Sequence, residues 1–240
     1  MQDRYTGDVG DFAKLALLRV IADHHTLGVL WYRVPDEGHN TDGKHDRYLE
    51  RPSIYRALDP GLFDLLRQVR ARSPRTVRDL SPALPGASFV EEYVPSGVMS
   101  REEWFARSKD ALRDKQTIFL DPDNGIASKK LARGSRKAVK AVFMHEVESL
   151  HRAEHSLVIY HHATRHQKGV TVSQQAEQLA QRLHQSGART VLPVISRRGT
   201  VRIFLVTNVS TACHAAVARF AELWRDHVDY PVQEFIAASS

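Results

Sequence analysis

Residues 116–128 read Gln-Thr-Ile-Phe-Leu-Asp-Pro-Asp-Asn-Gly-Ile-Ala-Ser. Ile118, Phe119 and Leu120 form a short apolar run, the pattern of a buried strand. The run ends on Asp121-Pro122-Asp123-Asn124-Gly125, where proline stiffens the backbone and glycine permits a tight turn. In open α/β sheets, ligands sit beyond the carboxyl ends of the strands. If this strand lies inside such a sheet, two carboxylates and an amide face the ligand crevice. The plainer reading is a turn whose Asp and Asn side chains bond their own backbone.

Outward from this stretch, strand and helix patterns alternate. Residues 9–24 place Phe12, Leu15, Leu18 and Ile21 at helical spacing, with Asp11 as the expected cap. Residues 26–34 are β-rich and close at Pro35. A helix is predicted over 60–72, a short strand over 76–80 and a strand over 87–94. Ser100 and Glu103 form a capping-box pattern that predicts a helix over 100–114. Further helices are predicted over 135–153, over 173–187 between Ser173 and Gly187, and over 213–228. Residues 156–162 read as a strand, and 190–196 and 200–207 as a β-hairpin about Arg197-Arg198-Gly199. This order predicts a Rossmann-like α/β three-layer sandwich over residues 1–240. It is expected to be one domain, with a mostly parallel sheet and a C-terminal antiparallel hairpin.

The totals agree with that class. The chain has 240 residues, 42% hydrophobic and 26% charged, as expected of a globular domain. No apolar run approaches the ~18 residues of a membrane span, and the polar, acidic start MQDRYTGDVGD is unlike a secretory signal. A lone cysteine, Cys213, excludes an internal disulfide and a Cys-cluster zinc site, and it fits a reducing cytoplasm. The net charge of +6 and pI of about 9.5 favour phosphate-rich partners such as nucleic acid, although a solvated basic surface fits equally.

Three segments carry candidate chemistry. Asp121, Asp123 and Asn124 offer acceptors and one amide donor. The loop 35–45 after the first strand carries Asp36, Glu37, His39 and Asn40, without the glycine spacing of a phosphate cradle. Tyr160, His161 and His162 end another strand, and alternation sends the two histidines to opposite faces. His161 is the candidate general base. Lys129, Lys130, Arg133, Arg136, Lys137 and Lys140 form a basic run just after the acidic turn.

The stretch Gly7-Asp8-Val9-Gly10-Asp11-Phe12-Ala13-Lys14-Leu15 resembles the N-terminal motif of the J-type ribosomal RNA adenine-N6 methyltransferases, Gly-Asn-His-Ala-Asp-Val-Leu-Lys-His. Gly7, Asp11 and Lys14 match it. The element order also looks like a class I methyltransferase, and Asp121-Pro122 stands where that family has Asp-Pro-Pro-Tyr or Asp-Pro-Pro-Phe. Asp123 and Asn124 depart from it, and the first-strand loop lacks the family's glycine-rich turn. The resemblance implies S-adenosylmethionine as cofactor and a cofactor-side role for Lys14.

Two enzymatic readings follow. In the first, a methyltransferase acts on nucleic acid or a nucleotide-like substrate. Asp121 orients the acceptor, Asp123 and Asn124 complete the pocket, and Asp36, Glu37, His39 and Asn40 stand on the cofactor side, with a residue near Glu91 as the alternative holder of the cofactor's amine and ribose hydroxyls. In the second, Glu37, Asp121 and Asp123 hold Mg²⁺ for phosphodiester hydrolysis. A degenerate methyltransferase fold kept for binding nucleic acid is a third. The first requires the N-terminal helix, the tip after Val34 and the Pro122 turn to meet at one rim of the sheet.

Overall fold

The computed structural model describes residues 1–37, 45–163, 169–229 and 235–236. The chain is a Rossmann-like α/β three-layer sandwich. Its central sheet is built from β1 (Leu27–Leu30), β2 (Ser88–Val90), β3 (Thr117–Leu120), β6 (Ser156–His162), β7 (Thr190–Ser196) and β8 (Arg202–Thr207). Between β3 and β6, β4 (Gly125–Ile126) and β5 (Ala141–Val142) pair as a separate small sheet. Among the described residues the strand order is β7-β8-β6-β3-β1-β2. The pairs β2-β1, β1-β3 and β3-β6 are parallel, and β8 runs antiparallel between β6 and β7. Two short strands, β9 (Val228–Asp229) and β10 (Phe235–Ile236), add to β7.

Period-two alternation divides each central strand between two cores. Val29, Phe119, Val158, Tyr160, Phe204 and Val206 face one layer: α1 (Val9–Ala22), the short α2 (Pro52–Tyr55), α3 (Pro60–Arg70) and α7 (Thr211–Leu223). Leu30, Ile118, Leu120, Leu157, Ile159, Ile203 and Leu205 face the other: α4 (Val98–Ala111), α5 (Met144–Arg152) and α6 (Val172–Gln185). Each fully buried aliphatic or Phe side chain contributes about 1.5–3 kcal/mol, and both faces of β3 are fully buried. That is why its sequence is a continuous apolar run rather than an alternating one.

Helix α1 differs from its expected one-sided stripe. Asp11, Lys14 and Leu17 are buried along with Phe12, Leu15, Leu18 and Ile21, because α3 and α7 cover the side turned from the sheet. Phe12 packs against Phe63 and Trp224 at centroid distances of 6.4 and 5.1 Å. Its cap is Asp8, not Asp11: Asp8 Oδ1 accepts from the amides of Gly10 and Asp11 at 2.7 and 2.9 Å.

Four other boundaries depart from the sequence reading. Residues 77–83 form a 3₁₀ helix opened by a Thr76–Asp79 capping box, not a strand. Helix α4 starts at Val98 after Gly97, ahead of Ser100. Helix α6 is capped by Thr171 through a box with Gln174 rather than by Ser173. The helix expected over 135–153 forms only from Met144. The buried Arg101 guanidinium donates to the carbonyls of Ala138 and Ala141 at 2.8 and 2.6 Å, and Ala141–Val142 pairs with Gly125–Ile126. Those contacts hold carbonyls and strand edges that a helix would have to turn inward.

Candidate functional site

The carboxyl ends of β1, β3 and β6 and the start of β8 meet at one rim. There they enclose a cavity of about 580 Å³, within the range of small-molecule and cofactor sites. Its wall includes Asp8, Asp11 and Lys14 from the start of α1, and Glu37 from the segment after β1. Asp121, Asp123 and Asn124 from the end of β3, Tyr160 and His162 from β6, and Arg202 from β8 complete it. The N-terminal helix, the segment after Val34 and the Pro122 turn therefore converge as the sequence required.

Lys14 is the centre of the buried part. Its Nζ lies 2.8 Å from Asp11 Oδ1 and 2.8 Å from Asp121 Oδ2, with the Trp31 ring 5.3 Å away. Burial alone would lower the ammonium's pKa. The Asp11 and Asp121 carboxylates outweigh it and hold the value above that of an ordinary lysine. Asp11 also accepts from the Gly7 amide at 2.7 Å, which fixes the chain entering α1. Beside it, Arg202 donates to Asp8 Oδ2 at 3.0 Å. Burial pushes the Tyr160 hydroxyl up to about 12, although Arg202 pulls it down, so this phenol remains a proton donor at neutral pH.

A second network closes the outer wall. The amino group of Met1 lies 3.0 Å from Asp123 Oδ1, and Gln2 Nε2 donates to Asp123 Oδ2 at 2.8 Å. Lys140 pairs with Glu37 at 2.6 Å and approaches Asp123 at 3.9 Å. Burial raises the Asp123 pKa, but the amino terminus, Gln2 and Lys140 together hold it below the usual carboxylate value. Lys140 reaches this wall because its segment is a 3₁₀ turn leading into β5 rather than a helix.

Two side-chain groups on the wall remain open. Among the described residues, Asp121 Oδ1 and the Asn124 side-chain amide make no hydrogen bond within the protein, and both residues line the cavity. They supply an acceptor and a donor–acceptor pair to the same cavity. Gly125 makes this possible. It has φ of +83°, and a Cβ there would stand 2.6 Å from the His161 Cα, so only glycine lets the turn fold against β6.

Other predicted residues lie elsewhere. His161 turns to the opposite face from the cavity, where its Nδ1 accepts from the Ile126 amide at 3.1 Å. Burial, reinforced by Arg182 and His162, pushes its pKa down to about 4. The histidine on the cavity wall is His162. Asp36 is exposed and accepts from the Arg4 amide at 3.2 Å, outside the cavity. His39 and Asn40 lie outside the described residues. The sequence reading missed Asp8, Tyr5 and Arg202. Arg202 did carry a signal: it is the one charged residue within the apolar stretch 201–206.

No protein-family model matches the chain, and no curated protein matches it in sequence.

Proposed function

We propose that the protein is an S-adenosylmethionine-dependent methyltransferase acting on a nucleotide base within a nucleic acid. The observation that carries this reading is Asp121. It stands at the end of β3 on the wall of the strand-end cavity, anchored through one oxygen by Lys14 and open at the other. A carboxylate with one fixed and one free oxygen can accept a hydrogen bond from an exocyclic amine. The adjacent Asn124 amide can read a neighbouring donor or acceptor on the same base edge. Tyr5 also lines the cavity, with the Arg4 guanidinium 4.8 Å from its ring centroid.

The chain's residues also fit a cofactor of this type. The cavity is large enough, polar on its walls, and placed where open α/β sheets hold ligands. Bound there, S-adenosylmethionine would supply the methyl group to be transferred. The protein's part is positioning. Lys14 holds Asp121, Lys140 holds Glu37, and Tyr160 keeps its proton beside Arg202. Lys14 is then a positioning residue, since its ammonium is held by the carboxylates of Asp11 and Asp121.

The magnesium reading is less well supported. Glu37, Asp121 and Asp123 all reach the cavity, but Lys140, Lys14 and the Met1 amino group already occupy them. A divalent cation would have to displace ammonium groups that are themselves largely buried.

Calorimetry and thermal shift with S-adenosylmethionine and S-adenosylhomocysteine test the proposal. Binding at 100 times Kd stabilises by about 2.7 kcal/mol. Asp121→Asn and Asn124→Ala are expected to keep cofactor binding and lose transfer of labelled methyl to nucleic acid. Absence of any shift with either compound overturns the reading. Stabilisation by Mg²⁺ that disappears in Asp121→Ala and Asp123→Ala would install phosphodiester hydrolysis in its place.

A further inference from the structure

A second cavity of about 360 Å³ opens beside the first, lined by Val9, His45, Arg47, Tyr48, Arg51, Tyr55, Arg198 and Gly199. Among the described residues no carboxylate lines it. The guanidinium groups of Arg47 and Arg51 make no ion pair or hydrogen bond to any described residue, in contrast to the paired cations of the main cavity. Arg198 is instead held in place: its Nη2 donates to the Asp226 carbonyl at 2.7 Å and its Nε to His227 Nδ1 at 3.1 Å. The floor is rigid. Tyr48 and Tyr55 pack at 5.5 Å, and the Tyr48 hydroxyl donates to the Gly7 carbonyl at 3.0 Å.

The two cavities share a wall. His45 lines both, and the hairpin turn gives Gly199 to one and Thr200 to the other. Arg202, on the main cavity's wall, donates to the carbonyl of Arg198 at 3.1 Å. Gly199 has φ of +71°, and a Cβ there would meet the Val9 side chain at 2.9 Å, so the turn is seated directly on the start of α1.

We propose that this cavity binds a backbone phosphate of a single-stranded polynucleotide whose neighbouring nucleotide enters the main cavity. The substrate class rests on the function proposed above. Three arginines with no facing acid match a phosphodiester by charge and by fork geometry. The shared wall favours a ligand continuous between the sites over a free mononucleotide.

Fluorescence anisotropy with a short labelled single-stranded oligonucleotide, over a salt series, tests this. The Arg47→Ala/Arg51→Ala double variant removes exposed side chains and is expected to fold normally. It should weaken binding to the same extent for different sequences and lower the log–log salt slope by about 0.7, the share of one phosphate on a single strand. Arg113→Ala, at a residue lining neither cavity, should leave both unchanged. A wild-type slope in the double variant overturns the proposal. So does binding of a labelled nucleoside monophosphate where the labelled oligonucleotide does not bind. Thermal shift with S-adenosylhomocysteine separates the two claims. No shift in the wild type, with the arginine-dependent oligonucleotide binding intact, would sink the methyltransferase reading and leave this site standing.

Discussion

Lys14 and Asp121 meet at 2.8 Å across 107 positions of sequence. The pair ties the N-terminal helix to the end of the central strand, and it does so where both side chains are almost wholly buried. Asp11 completes the arrangement, so one ammonium answers two carboxylates. Such a cluster adds little net stability while intact, because desolvation offsets most of the attraction. Its effect is geometric: Asp121 can present its free oxygen in only one direction.

Removing the ammonium exposes that balance. Lys14→Met leaves Asp11 and Asp121 buried without a counter-charge and is expected to destabilise the protein by about 3–5 kcal/mol. Urea denaturation at neutral pH measures it. Lys14→Met combined with Asp121→Asn should recover part of the loss, since one of the stranded charges is gone. A single-variant loss below about 1 kcal/mol would mean that the pair does not persist in solution.

Stability should depend on pH through His161. Its folded pKa is depressed from 6.5 to about 4 by burial. Below pH 6.5 the unfolded chain therefore takes up a proton that the folded chain refuses. The contribution is complete above pH 6.5 and is lost as pH falls toward 4, by about 3 kcal/mol at most. Lys14 acts at the other end: its pKa is raised, so its contribution persists through neutrality and is lost only in strong alkali. Denaturation at pH 7 and pH 5 should show a loss in the wild type that is smaller in His161→Gln. Equal losses in the two proteins would remove His161 as the cause.

Gly125→Ala combines two penalties. The residue sits at φ +83°, where an L side chain is strained, and its Cβ would press on the backbone of His161. Backbone cannot swing aside as a side-chain tip can. The expected cost is about 2 kcal/mol or more, read as a fall in the urea midpoint. A neutral substitution would show that the turn after Asn124 is looser than its geometry here.

The fold was legible where local pattern and tertiary position agree. The Ile118–Leu120 run, the 156–162 strand and the hairpin flanking Arg197-Arg198-Gly199 are apolar stretches bounded by turn residues, and each forms where expected. Residues 135–143 were misread because alanine, lysine and arginine favour helix in isolation. Arg101, far away in sequence, takes the carbonyls that such a helix needs. In the site, strand alternation correctly set His161 and His162 on opposite faces, but it could not say which face held the cavity. The ion pairs of Lys14 and Arg202 join distant segments and leave no local trace. Asp8 and Asp11 both suit a helix start by residue type, and only the backbone amides they accept from distinguish them.

Gly10→Ala sets two effects against each other. Alanine is favoured over glycine inside a helix by up to about 1 kcal/mol, and Gly10 is the second residue of α1. The new Cβ, however, would stand 2.3 Å from the Arg202 Cζ. A guanidinium at the end of a flexible chain can yield, but Arg202 would then leave Asp8 and the carbonyls of Arg198 and Thr200. The space it moves through is the main cavity, whose wall it forms. Stability should therefore change by less than about 1 kcal/mol, while affinity for S-adenosylhomocysteine falls about tenfold or more, which is 1.4 kcal/mol. Calorimetric titration and urea denaturation of the same preparation separate the two. Unchanged affinity would show that Arg202 stands clear of the bound ligand, whereas parallel loss of stability and affinity would make its contact with Asp8 a matter of folding alone.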